Sequence, residues 1–270
     1  MDREQIEEVA AGVRKEIGEG KPPVNVLRIA GEESILLAPG DYGENFDGRI
    51  EYHRKKGKFI LFYPGQNSTR TEGRVRFSVA HELGHYYLPR HRELLLGGKF
   101  HCSQVGFICD NRLEREADLF AASLLVPEAV LSDLCERRKF LNLKDILQLA
   151  NAWNVSATCA AIRYVEYASE ACALLVSRNG EVLYYIPSED AAYRGFEWLG
   201  AKTIPRHSAT AEAAATNGPG HIIERETHTE TWFSQRRAGC SLWEEAYALG
   251  YTGLVLTMLA FDVEGQDDDE

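Results

Sequence analysis

The segment RFSVAHELGHYYL, residues 76–88, sets His81 and His85 four positions apart, with Glu82 directly after the first. Positions i and i+4 of an α-helix lie one above the other, so both imidazoles point into one region of space. A divalent cation asks this of two of its ligands. Glu82 sits one residue further round, where its carboxylate reaches water on the ion rather than the ion itself. Water held this way has its pKa lowered from 15.7 to about 7, and a neighbouring carboxylate can then take its proton. Packing alone explains the pattern poorly, since desolvating three polar groups on adjacent turns costs several kcal/mol when nothing compensates.

A centre that keeps one position for water needs a third protein ligand. Residues 112–125, RLEREADLFAASLL, read as a helix and offer Glu114, Glu116 and Asp118. Glu114 and Asp118 share a face, while Glu116 points elsewhere. The spacing therefore assigns Glu114 to the metal. Asp118 is expected to hold the far ring nitrogen of a ligating histidine, and Glu116 stands as the alternative ligand. His91, His101 and Tyr86, with Tyr87 beside it, are the candidates for steadying a tetrahedral oxyanion. Two imidazoles and a carboxylate favour zinc, although manganese or iron would accept the same set.

Several elements must position these residues. Residues 2–18 carry Ile6, Val9, Ala10 and Val13 at helical spacing and close on Gly18 and Gly20. Three apolar runs follow, VNVLRI, SILLAP and KFILFYP, the last preceded by the basic turn HRKKGK. They predict a small antiparallel sheet, in which KFILFYP reads either as a plain core strand or as an edge open to an extended segment. The motif helix comes next, then the loop LLLGGKFHCSQVGFICDN and the helix 112–125, which Pro127 ends. NLKDILQLANAWNVSATCAAIRYV reads as two helices with helix-turn-helix proportions, capped at Asn142 and Ser156. With Lys144 and Arg163 as its basic residues, this pair is not expected to bind DNA.

Beyond residue 170 the pattern changes. CALLVSRNGEVLYYIP predicts a hairpin turning at Asn179 and Gly180. An Ala-, Thr- and Gly-rich loop is expected over 208–221, TETWFSQ as a strand, SLWEEAYAL as a helix and GLVLTMLAFDV as a last strand. The organisation expected is an α+β chain: a domain carrying the HExxH and acidic helices over 1–127, a helix-turn-helix-like segment over 128–168, an α+β domain over 169–263 and an acidic disordered tail over 264–270.

The bulk numbers agree with a folded chain. It has 270 residues, 44% of them hydrophobic, and a net charge of −11 that argues against general attraction to nucleic acid or membrane. Residues 51–100 run the other way, with ten Lys or Arg against four Glu, a solvated hairpin or a rim for an acidic partner. No signal-like apolar run opens the chain and no window is apolar enough to span a bilayer, so a cytoplasmic protein is expected. Its six cysteines include no CxxC pair, which suits reduced thiols.

RFSVAHELGHYYL followed by EREADLFAASLLVP resembles the ImmA/IrrE family of metallopeptidases, which pairs HExxH with ExxxN/D and an F-A-A-x-L-L-x-P run. His81, Glu82, His85, Glu114, Asp118, Phe120, Ala121, Ala122, Leu124, Leu125 and Pro127 carry the match. The resemblance implies a gluzincin-like core built from a small sheet and the HExxH helix, and a zinc-dependent endopeptidase. The protein substrate it implies is a repressor of the XRE helix-turn-helix type, whose cleavage relieves repression of stress-response or mobile-element genes. It also implies a GAF-like C-terminal domain taking a small-molecule effector. The alternatives are a non-catalytic metal-binding transcriptional regulator and an antitoxin-like partner.

Overall fold

The computed structural model describes residues 1–43, 46–65, 70–98, 103–104, 112–138, 140–196, 203–216, 220–233, 241–250 and 253–261. The chain divides into two compact units, Met1–Val130 with Ala150–Ser156, and Leu131–Leu149 with Ala157–Glu270. His101, Cys102, Cys109, Cys240 and the acidic tail lie outside the described residues. Among those described, Cys135, Cys159 and Cys172 are free thiols, and no helix is long and apolar enough to cross a membrane.

The first unit opens with α1 (Arg3–Ile17). Asp2 and Gln5 form a reciprocal capping box at its start, and Gly18 ends it with φ 73°, a backbone conformation that suits glycine. Ile6, Ala10 and Val13 bury its apolar stripe. Helix α2 (Val26–Glu32) takes the place of the first expected strand. VNVLRI is rich in β-branched residues, but Asn25 accepts from the Arg28 amide as an N-cap, and Val26, Ile29 and Ala30 are buried at helical spacing. The capped helix wins over local β preference.

Strands β1 (Leu36–Gly40), β2 (Phe46–His53), β3 (Lys58–Pro64) and β4 (Ser103–Gln104) form a sheet in the order β1-β3-β2-β4. β3 pairs antiparallel with β2 through the tight turn at Gly57 (φ 62°), but parallel with β1, from Leu36 opposite Ile60 to Gly40 opposite Pro64. The sheet is therefore mixed rather than antiparallel. A hairpin imposes antiparallel pairing only on the strands it joins, and none joins β1 to β3. β3, the KFILFYP strand, has neighbours on both sides and offers no edge to a substrate.

Helices α3 (Glu72–Tyr87), α4 (Pro89–Leu96) and α5 (Arg112–Leu125) complete this unit, and α6 (Glu128–Arg137) begins in it. Pro89 opens α4, where a missing amide hydrogen costs nothing. Arg14 on α1 is buried and donates to the carbonyls of Ser123 and Leu124, capping the C-terminal turn of α5. Arg76 donates to the carbonyls of Asn154 (3.0 Å) and Val24 (2.7 Å).

In the second unit, most of α7 (Leu143–Trp153) and α8 (Ala157–Tyr167) precede a five-stranded antiparallel sheet. The Asn142 cap is present, its side chain accepting from the Asp145 amide at 2.9 Å. Arg163, one of the two basic residues of the helix pair, is fully buried and ion-paired to Glu166 at 2.9 Å, so it is unavailable to a phosphate backbone.

The sheet order is β6-β5-β9-β8-β7, from β5 (Cys172–Arg178), β6 (Glu181–Pro187), β7 (Ile223–His228), β8 (Ser241–Ala248) and β9 (Leu254–Phe261). Asn179 and Gly180 turn the β5–β6 hairpin, both at positive φ as a type I′ turn requires. SLWEEAYAL is strand β8, not the expected helix. Its Glu and Ala favour helix locally, but β7 and β9 pair with it on both sides, and tertiary pairing overrides so weak a preference. The strand expected at TETWFSQ falls earlier, at β7, and Thr229–Thr231 is a short 3-10 turn. The loop expected over 208–221 contains α9's successor α10 (Ala209–Ala215), while α9 itself spans Glu189–Tyr193; each is N-capped by a serine, Ser208 and Ser188 respectively.

Candidate metal centre

The HExxH helix α3 and the acidic helix α5 cross at Gly84 and Ala117. A Cβ on Gly84 would lie 3.1 Å from the Cα of Ala117 and 3.2 Å from its carbonyl oxygen, so only a bare glycine lets the helices approach this closely. The candidate ligands flank the crossing symmetrically. His81 and His85 lie three before and one after Gly84; Glu114 and Asp118 lie three before and one after Ala117. On a helix those two offsets fall on one face. The small residue at the centre thus brings four functional side chains together.

His81, His85 and Glu114 offer ligand atoms that all lie within 4.8 Å of one another. His85 Nε2 is 3.1 Å from His81 Nε2, His81 Nε2 is 3.1 Å from Glu114 Oε2, and His85 Nε2 is 3.6 Å from Glu114 Oε1. Bonds of about 2.0–2.1 Å in a tetrahedral site put neighbouring ligand atoms about 3.3 Å apart. The spacing therefore fits a small divalent cation. Asp118 Oδ1 accepts from His81 Nδ1 at 2.8 Å, which turns the Nε2 lone pair of that ring toward the other two donors. Acceptor atoms converging like this repel unless positive charge lies between them. Burial works against a charge on His81, but hydrogen bonds to Asp118 and Glu114, with the charges of Asp118 and Glu82, outweigh it and push the ring's pKa from 6.5 up to about 10. Without a metal, a proton takes the cation's place.

Glu116 points away from this cluster. Its carboxylate accepts from His91 Nε2 (3.0 Å), from Arg112 (2.8 Å) and from the Met1 ammonium (2.7 Å). Burial favours its neutral form, yet these three donors hold its pKa down at about 2. His91 is fully buried and faces His85 Nδ1 with its own Nδ1 at 3.0 Å, on the side of the His85 ring away from the ligand atoms. It thus stands behind the candidate ligand His85, on the side away from His81 and Glu114. The Tyr86 and Tyr87 hydroxyls both donate to Glu33, at 2.8 and 3.0 Å, and the Arg92 guanidinium covers the Tyr86 ring at 4.3 Å. Those contacts hold the Tyr86 hydroxyl at Glu33. His101, the remaining oxyanion candidate, lies outside the described residues.

Glu82 is fully buried, and its charge acts on His81. Its side chain packs against Gly48 of β2, where a Cβ would meet Glu82 Cγ at 3.0 Å and Oε1 at 3.1 Å. The next-door residue Asp47 pins the strand to α3, accepting from Arg74 Nε and Nη2 at 3.1 Å each and from Arg70. This bidentate pair fixes orientation as well as distance. Gly48, Gly84, Ala117 and the Asp47 clamp are the supporting residues that reading the sequence missed, and His91, expected beside an oxyanion, lies behind His85 instead. Only Gly84 left a signal: a glycine inside a helix costs roughly 1 kcal/mol against alanine and so asks for a packing reason.

Residues 50–164 match the model of the IrrE N-terminal-like domain, Peptidase_M78. Over 109 residues the chain is 28% identical to Metallopeptidase ImmA of Bacillus subtilis (strain 168), a stretch that makes up 40% of this chain and 58% of that relative. The chain therefore matches less than two thirds of the relative's length. A solved structure, Mycobacterium tuberculosis transcriptional regulator, shares the fold with a TM-score of 0.59 at 12% identity, over 97% of this chain and 82% of that one. The matched region contains the whole HExxH helix and the helix that supplies Glu114. Residues 50–164 thus form an IrrE N-terminal-like domain, and within that segment the chain is similar to the ImmA/IrrE metallopeptidases.

Proposed function

We propose that this protein is a zinc endopeptidase that cleaves an XRE-type helix-turn-helix repressor. The observation that carries the reading is the convergence of His81, His85 and Glu114 beside a buried Glu82. His81 Nε2, His85 Nε2 and Glu114 would hold a divalent cation, with Asp118 orienting the His81 ring. A divalent cation bound there supplies Lewis-acid polarisation of a peptide carbonyl and a lowered pKa for the attacking water. The Glu82 carboxylate would act as the general base for the attacking water and pass its proton to the leaving amine. Gly48 and the Asp47–Arg74 pair keep the Glu82 carboxylate in place while it does so.

The strand beside the carboxylate is β2, which among the described residues pairs with β4 at Phe46 and Gly48. An extended substrate segment placed along β2 would gain main-chain hydrogen bonds. The repressor as substrate rests on what members of the family do. In this reading residues 1–127 form the peptidase domain on a gluzincin-like core, 128–168 help to seat the substrate, and 169–263, with their own sheet, are the GAF-like part that takes a small-molecule effector in the cytoplasm.

Co-expression with the repressor of a neighbouring gene tests the proposal. The wild-type protein should cut the repressor, and Glu82→Gln should retain metal near the wild-type level while cleavage is lost. Metal loss in that variant would show that Glu82 is a ligand. An intact repressor beside metal-loaded wild-type protein would favour a non-catalytic regulator.

A further inference from the structure

Behind the ligand His85 runs a buried chain of polar contacts that the proposed chemistry does not use. His85 Nδ1 lies 3.0 Å from His91 Nδ1, and His91 Nε2 lies 3.0 Å from Glu116 Oε2. Both imidazoles are fully buried, so solvent does not supply substitute partners for the ring nitrogens in this chain. The other carboxylate oxygen, Glu116 Oε1, accepts from the Arg112 guanidinium at 2.8 Å and from the Met1 ammonium at 2.7 Å. Facing cations on one side and a ring nitrogen on the other, this carboxylate can only accept.

Direction follows from that end. His91 Nε2 must carry the hydrogen that Glu116 receives, which leaves Nδ1 of a neutral His91 as an acceptor. His85 Nδ1 must then donate to it, and His85 Nε2 keeps its lone pair. That atom is the one turned toward His81 and Glu114.

We propose that Glu116 and His91 are positioning residues that lock His85 in its Nδ1–H tautomer and so present Nε2 to the cation as a ready-made donor. The inference deepens the metal-site reading above and rests on it for its purpose, although the tautomer itself does not depend on metal. A metal-ligating histidine ordinarily gives its second nitrogen to one acceptor, and loss of that acceptor typically weakens binding about 10- to 100-fold. Here the acceptor is another histidine, itself oriented by a carboxylate two residues after Glu114. Helix α5 would then serve both sides of the centre, with Glu114 contacting the ion and Glu116 reaching it through two rings. His81 is held in the same sense by Asp118 directly.

Two measurements test this. Long-range 15N–1H correlation spectra of the metal-free wild-type protein should show His85 protonated at Nδ1 and His91 at Nε2; His85 protonated at Nε2 overturns the proposal. Metal titrations against a competing chelator should then show His91→Phe, which keeps an aromatic ring but removes the acceptor, binding zinc about 10- to 100-fold more weakly than wild type. Glu116→Gln can turn either its oxygen or its nitrogen toward His91, so its His85 spectrum should show both tautomers. Wild-type affinity in a folded His91→Phe protein sinks the relay. If that variant does not fold, the wild-type tautomers decide alone. Failure of the wild-type protein to bind any divalent metal would overturn the peptidase reading while leaving the tautomer result to stand by itself.

Discussion

Gly84 of α3 touches the backbone of Ala117 of α5, and a methyl group on Gly84 would stand 3.1 Å from the Ala117 Cα. Because Ala117 presents backbone there, the neighbour cannot swing aside as a long side chain would. Gly84→Ala should force the helices apart at the point that sets the His81, His85 and Glu114 spacing. Overpacking of this kind costs about 1–3 kcal/mol. The expected outcome is a folded but less stable protein that loses its metal on dialysis under conditions where wild type keeps it, read by elemental analysis beside a thermal melt.

Gly48→Ala makes a different prediction, because its methyl would press on the Glu82 side chain at 3.0–3.1 Å and not on a ligand. Misplacing a reacting group by about 1 Å can cost on the order of a hundredfold in rate. Turnover should fall by about that factor while metal affinity stays at the wild-type level. Equal losses of metal and activity would show that β2 supports the ligands instead.

The His81 ring carries a sign that pH can read. Its folded pKa of about 10 lies above the unfolded value of 6.5, so in metal-free protein its stabilising contribution is complete below about pH 6.5 and is lost as pH rises through about 10. A metal ion displaces the same proton. Apparent affinity should therefore climb by roughly one log unit per pH unit between about pH 7 and 9, with about one proton released per ion from this ring. Calorimetry in two buffers of different ionisation enthalpy measures that release, and a pH-independent affinity would contradict it.

In the second unit the carboxyl of Glu244 is fully buried and accepts from the Thr210 amide (2.8 Å) and hydroxyl (2.7 Å), with Trp232 Nε1 at 3.4 Å. The Thr210 hydroxyl also meets that of Thr257 at 2.7 Å. Thr210→Val keeps the shape and removes a hydrogen bond to a buried acidic group, a loss of about 1.5–3 kcal/mol. Urea unfolding followed through Trp232 and Trp243 should show the drop, with metal binding unchanged.

Much of the candidate site was legible in the chain itself. His81, Glu82 and His85 declare themselves because helical geometry turns a spacing of four into a shared direction, and Glu114 with Asp118 do so for the same reason. The hairpin at Asn179 and Gly180 was equally readable, since few residue pairs tolerate positive φ twice in succession. The reading failed where a cap inside the stretch or a partner far from it outweighed β or helix preference. VNVLRI became a helix because Asn25 caps it and the core takes one face, and SLWEEAYAL became a strand because β7 and β9 pair on either side of it.

What the sequence determined by itself was which atoms could ligate a metal and which helix faces would carry them, because both follow from contacts within four residues along one chain segment. Only tertiary structure decided that α3 and α5 cross at Gly84 and Ala117, that His91 and Glu116 stand behind His85, and that Gly48 makes room for Glu82. Those relationships join residues 6 to 34 positions apart, and no periodicity along a single helix or strand encodes which side chain lies across such a gap.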